Sequence, residues 1–251
     1  MLFVLTGDVQ TGKTRWLEHL IGDLGAQGVV CAGVLAPGVW RQRTDEEMAL
    51  IRAGKVDANS MAIRLGSAGP YEKLGIDNVL LPEGEHIAFA RRRDLAQEMG
   101  VFDEGSQSAR VKLGWEIDDA AIGRVNAHFD ELARAESRPC AKGVAKPARV
   151  VHAGDDEQRE GTSSAKGEAA RLLVVDELGR LELVGNAGLT SAMALLERGP
   201  AGRYPHALVV VRAWLVDAAR ERFEGAWGPL RAIGPDDAGS AAVAEAFNVT
   251  L

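Results

Sequence analysis

Gly7-Asp8-Val9-Gln10-Thr11-Gly12-Lys13-Thr14, entered from the apolar run Leu2-Phe3-Val4-Leu5, fits the Gly-x-x-x-x-Gly-Lys-Thr phosphate-binding loop, and no other feature restricts the fold as much. Glycines let the backbone curl so that successive N–H groups point at a polyphosphate. The positive end of a following helix faces the same anion, Lys13 adds a charge, and the Thr14 hydroxyl suits Mg²⁺. A helix is expected directly afterwards, because Leu17, Leu20, Ile21 and Leu24 recur on one face, with Gly25 as its stop. Strand, loop and helix in succession predict an α/β fold of the P-loop nucleoside-triphosphate-binding kind, with a mainly parallel sheet flanked by helices on both faces. All eight residues from Gly7 to Thr14 are nucleotide contacts in this reading.

Far along the chain, Leu172-Leu173-Val174-Val175 reads as a parallel strand buried on both faces, and it ends in Asp176-Glu177. This is the Walker B pattern. Ligands of open α/β sheets sit at the carboxyl ends of the strands, so Asp176 is expected to meet a Mg²⁺ ion held by Thr14. Glu177, next in sequence, is placed to polarise the water that attacks the γ-phosphate. Lys13 and Glu177 are thus the primary catalytic candidates, and Thr14 and Asp176 the metal candidates.

Val29 to Leu35 reads as a second buried strand, broken by Pro37-Gly38, with Trp40-Arg41-Gln42-Arg43 expected in the loop that follows. Asn78 to Leu81 and His86 to Ala90 flank Pro82-Glu83-Gly84-Glu85, which reads as a β-hairpin that extends the edge of the sheet or forms a lid. Asp118 is suited to cap a helix whose Ile122, Val125, Phe129 and Leu132 form a core stripe. From about 137 to 170 the chain is polar and unlike a packed core, so it reads as a surface insertion in a single domain. Residues Gly188 to Arg198 predict a helix, and Ala207 to Val211 a further strand that exits at Arg212.

The chain has 251 residues, 46% of them hydrophobic, which is enough for a full core. Its net charge of −7 argues against a general nucleic-acid or anionic-membrane surface. The one compact basic run, Arg91-Arg92-Arg93, reads as the solvated end of a hairpin strand. Two cysteines, Cys31 and Cys140, are too few for a disulfide framework, so free thiols in a reducing compartment are the simpler reading. The first apolar stretch is too short for a signal peptide or membrane span, which leaves the cytoplasm as the default address. Nothing in the sequence reads out a protein partner or an oligomeric state.

The stretch Val174-Val175-Asp176-Glu177-Leu178-Gly179-Arg180-Leu181-Glu182-Leu183 resembles the Asp-Glu-Ile-Gly-x-Met-Glu-Leu signature of the cancer-related nucleoside-triphosphatase family. The order of parts is also similar, including Gly114-Trp115-Glu116-Ile117-Asp118 where that family carries a Gly-x-Tyr-x-Val-Asp-like segment. The resemblance implies Mg²⁺-dependent hydrolysis of nucleoside triphosphates, with Lys13 and Thr14 on phosphate and metal, and Asp176, Glu177 and Glu182 as acidic site residues. Hydrolysis needs charge neutralisation beyond Lys13 and Mg²⁺, and Arg180 and Arg212 are the candidates in cis. Two other readings use the same loop. A nucleotide or small-metabolite kinase would place Trp40 to Arg43 or Arg91 to Arg93 in a lid. A guanine-nucleotide switch fits Asp176-Glu177-Leu178-Gly179 as Asp-x-x-Gly, but no Asn-Lys-x-Asp run accompanies it.

Overall fold

Side-chain alternation along the strands decides which face of the sheet each helix covers. In β1 (Leu2–Leu5), Leu2 and Val4 enter one core while Phe3 and Leu5 enter the other. In β7 (Arg171–Leu178), Leu173 and Val175 join the first core, and Leu172 and Val174 the second. The second core is closed by α1 (Lys13–Ala26), with Leu17, Leu20 and Leu24, and by α10 (Asp237–Ala246). The first is closed by α6 (Asp119–Ser137), α8 (Thr190–Glu197) and α9 (Val216–Trp227). These positions come from a computed structural model, which describes residues 1–8, 11–137 and 170–251.

Among the described residues, five strands are parallel: β2 (Val30–Leu35), β7, β8 (His206–Val211), β1 and β9 (Arg231–Ile233), side by side in that order. Beyond β2 the sheet turns antiparallel through β4 (Tyr71–Leu81), β5 (Glu85–Arg92) and β6 (Trp115–Ile117), with β3 (Gly38–Gln42) on the other half of β4. Short helices decorate this extension: α2 (Asp45–Arg52), α3 (Met61–Arg64), α4 (Arg93–Glu98) and α5 (Gln107–Arg110). A one-turn α7 (Arg180–Leu183) follows β7. The expected α/β architecture with helices on both faces is therefore present, and its hairpin extension is a four-stranded antiparallel element.

Several local expectations shift. Gly25 does not end α1, which runs on to Ala26 and closes at Gln27. Helical glycine costs only about 1 kcal/mol, and burial of Leu20 and Leu24 outweighs it. Trp40-Arg41-Gln42 forms strand β3 instead of a loop, because β4 offers it a partner edge, with Trp40 opposite Lys73 and Arg41 opposite Glu72. The hairpin turn is Pro82 to Gly84, since Glu85 already belongs to β5. Asp118 does cap α6, its carboxylate accepting from Ala120 N–H at 2.8 Å. Cys31 is buried in β2, which pushes its thiol up to about 12, while Cys140 lies outside the described residues. The polar stretch 137–170 also lies outside them except for its ends. No described helix is long and apolar enough to cross a membrane.

Arg92 is buried, contrary to its reading as part of a solvated basic run. It pairs with Glu72 at 2.7 Å and with Asp94 at 2.7 Å. Glu72, only 2% exposed, also faces Arg41 and, at 3.7 Å, Arg43. Arg43 in turn donates to the carbonyls of Ala62 (3.0 Å) and Ser67 (2.7 Å), pinning the segment around α3 to the strands. One carboxylate thus joins β3, β4, β5 and the α3 region. Removing it strands buried guanidinium charge, so Glu72→Gln is expected to cost about 3–5 kcal/mol, measured by urea denaturation. A loss below about 1 kcal/mol, the range of exposed pairs, would show that the cluster does not hold the extension.

Candidate functional site

The loop after β1 enters α1 through Gly12, whose φ of +81° is open to glycine without steric cost. No side chain caps this end of α1, so the first-turn N–H groups face the cleft. Lys13 folds along the loop, its ammonium donating to Gly7 O at 3.1 Å, to Asp8 O and to Thr11 Oγ1 at 3.4 Å. Val9 and Gln10, both expected nucleotide contacts, lie outside the described residues. Thr11, Gly12, Lys13 and Thr14 line a cleft of about 810 Å³.

Register brings β7 to the same cleft. Its alternation points Asp176 toward the α1 face, where the carboxylate accepts the Ala36 N–H at 3.0 Å and the Thr14 hydroxyl is close enough to favour its ionised form. Asp176 is 3% exposed. Burial pushes its carboxyl up from 3.8 to about 6, with the Ala36 bond working against burial, the neighbouring Glu177 charge adding to it, and Thr14 and Lys73 favouring ionisation. The arrangement of a hydroxyl and a buried carboxylate side by side is a hard-oxygen donor pair of the kind Mg²⁺ takes.

Immediately beyond, the ladder slips. Val175 pairs with Val209, but Leu178 pairs with Val211, so β7 spends one extra residue in a bulge. Glu177 sits in it at φ +69°, a left-handed conformation uncommon for a residue with a side chain. The bulge returns Leu178 to the first core and turns Glu177 into the cleft. There Glu177 accepts from Arg212 Nη2 at 2.7 Å, Arg212 being the residue after β8. Burial opposes the Glu177 charge, but Arg212, Lys73 and Lys13 together outweigh it and hold the carboxyl below its ordinary range.

The other candidates fall elsewhere. Arg180 opens α7 on the surface and lines a second cavity of about 170 Å³, not the main cleft. That cavity adjoins the cleft and shares Leu65, Trp115, Asp176, Glu177 and Arg212 with it. Glu182, 6% exposed, accepts from Gly179 N–H (2.9 Å) and Leu189 N–H (3.3 Å), so it braces the turn after Glu177. Burial raises its carboxyl.

The wall opposite the phosphate loop comes from the antiparallel extension: Gly38, Trp40, Arg64, Tyr71, Lys73 and Trp115. Trp40 and Trp115 stood in segments that the sequence marks, the first beside arginines and the second in the Gly114 to Asp118 stretch. Lys73 had no such signal. It reaches the cleft only because β4 pairs with β3 and brings that part of the chain beside Pro37 and Gly38.

No family model matches the chain, and no curated protein matches it. Among solved structures, the solution structure of a human cancer-related nucleoside triphosphatase aligns with 98% of this chain and 95% of that one, at 13% identity and a TM-score of 0.48.

The raised Asp176 carboxyl fixes the sign of a pH effect. The native state holds that proton more tightly than the unfolded chain, so the ionised carboxylate costs stability, fully above about pH 6 and not at all below about pH 4. Asp176→Asn, without divalent cation, is therefore expected to stabilise the fold at pH 7.5 by about 2–3 kcal/mol, with the gain vanishing near pH 4. Urea denaturation at both values checks it. An equal effect at the two pH values would contradict the assignment.

Proposed function

We propose that the chain is a Mg²⁺-dependent nucleoside triphosphatase that hydrolyses a nucleoside triphosphate to the diphosphate and phosphate. The observation that carries this reading is the convergence of Lys13 and Thr14 from the phosphate loop with Asp176 and Glu177 from the end of β7 on one cleft.

The α1 N-terminus and Lys13 hold the phosphates, Lys13 exchanging its loop carbonyls for phosphate oxygens. Thr14 and Asp176 hold the metal, with the loop backbone of residues 7–14 around the triphosphate. With Mg²⁺ held there, the phosphate charge would be neutralised and the ionised form of Asp176 favoured. Glu177 orients the attacking water and accepts its proton as the oxygen bonds to the γ-phosphorus. The bridging bond breaks, and its electron pair leaves on the β-phosphate. Arg212 holds Glu177 ionised and aimed, which suits a base more than an acid. Arg180 remains a second arginine in cis, acting from the adjoining cavity. Free solution on the open side of the cleft supplies the water.

The adjoining cavity of about 170 Å³ beside Glu177 favours one alternative, a kinase whose small hydroxyl-bearing acceptor sits there. A guanine-nucleotide switch has only the Asp176 to Gly179 pattern in its favour.

Phosphate release from ATP, GTP, CTP and UTP separates these readings. The parent is expected to turn over with Mg²⁺ and without any acceptor, and to stop in excess EDTA. Lys13→Ala is expected to abolish binding and turnover together. Glu177→Gln is expected to retain binding and lose about 10²–10⁴ in kcat. Tight nucleotide binding by a parent that releases no phosphate would exclude the hydrolase.

A further inference from the structure

Lys73 is a charged residue of the cleft wall that the roles above leave unused. Its backbone is fixed on both sides, the N–H donating to Gly66 O at 3.0 Å and the carbonyl accepting from Arg92 Nη1 at 3.2 Å. Its stem lies against Gly38, where an added Cβ would stand 2.8 Å from Lys73 Cε and 2.6 Å from the Trp40 indole nitrogen. The ammonium ends 5.4 Å from the centre of the Trp115 ring, on the cleft wall across from the phosphate loop. A side chain at position 38 would therefore have to push the Lys73 stem and the Trp40 indole aside.

The charges around it come from the far wall. Asp176 and Glu177 at the end of β7 attract it, and Arg212 after β8 repels it, yet no carboxylate lies within ion-pair distance of its nitrogen among the described residues. Glu72, its neighbour in sequence, is taken by the three arginines. A half-buried ammonium without a paired carboxylate is costly unless an anion arrives, and a Trp face repays only part of that cost. The two arginines proposed from the sequence do not fill this place. Arg212 is committed to Glu177, and Arg180 opens elsewhere.

We infer that Lys73 grips the terminal phosphate of the bound nucleotide from the side opposite Lys13, so that the site tells a triphosphate from a diphosphate and stabilises the charge that moves during transfer. The inference rests on the nucleotide reading above. In the hydrolytic step Lys73 neither gains nor loses a proton. It acts on the equatorial oxygens while water attacks the γ-phosphorus and the pair of the broken bond leaves with the diphosphate.

Calorimetric titration with Mg²⁺ and either the non-hydrolysable ATP analogue AMP-PNP or ADP tests the grip without requiring turnover. In the parent, AMP-PNP is expected to bind more tightly than ADP. Lys73→Met is expected to weaken AMP-PNP by about tenfold or more, as loss of a charged hydrogen bond would, while ADP stays unchanged. Lys73→Arg is expected to recover part of the preference. Gly38→Ala, which displaces the stem and keeps the charge, is expected to reproduce the loss. If the parent shows this preference and Lys73→Met removes it, but no phosphate is released, the Lys73 assignment stands and the hydrolase reading falls. An unchanged AMP-PNP to ADP ratio in folded Lys73→Met, or equal weakening of both ligands, overturns the assignment.

Discussion

The placement of the Thr14 hydroxyl close enough to the buried Asp176 carboxylate to favour its charge is the constraint on which the rest of the site depends. It spans two strands, since β8 lies between β1 and β7. The parallel register sets the heights: Leu5 stands beside Val210, and Val175 beside Val209, so both strands finish at the same level. Parity sets the side. Asp176 follows Leu172 and Val174 onto the α1 face, where Thr14 stands in the first turn of the helix. A slip of one residue in β7 would turn Asp176 into the opposite core and leave Thr14 without it. The bulge then breaks parity deliberately, and Glu177 reaches the cleft through a backbone conformation that the ladder alone would not give.

Charge is distributed against the overall composition. The chain is net negative, yet among the described residues five cations, Lys13, Arg15, Arg64, Lys73 and Arg212, line one cleft against the three carboxylates of Glu18, Asp176 and Glu177. The cluster of Arg41, Arg43 and Arg92 on Glu72 lies behind that wall and fixes it mechanically, so its three cations are consumed in structure. This division explains why the sequence's most basic stretches are poor guides to the site. Arg92 is buried scaffold, while Lys73, from an unremarkable stretch, stands free at the cleft.

What could be read beforehand was what local chemistry encodes. The phosphate loop is contiguous, so its residues announce one another. The Asp176-Glu177 pair follows an apolar run that has the length and composition of a buried strand. The stripe Ile122, Val125, Phe129 and Leu132 revealed α6 by period alone, and all four are buried. What stayed hidden depends on pairing between distant segments. β3 exists because β4 provides an edge, Gly38 matters because Lys73 and Trp40 converge on it, and Glu72 gains its role from three arginines up to 31 positions away by sequence number. The bulge at Glu177 is likewise a property of two strands read against each other.

In the proposed hydrolysis, water is the acceptor of the γ-phosphoryl group. Turnover of ATP with Mg²⁺ in ¹⁸O-enriched water, followed by mass spectrometry of both products, tests this most directly. The predicted result is one solvent oxygen in each released phosphate and none in the ADP. Label in the ADP would place attack at the β-phosphorus, and phosphate formed without label would show that the γ-phosphoryl group never meets water at this site. Either would contradict the roles given to Glu177 and the Thr14–Asp176 pair.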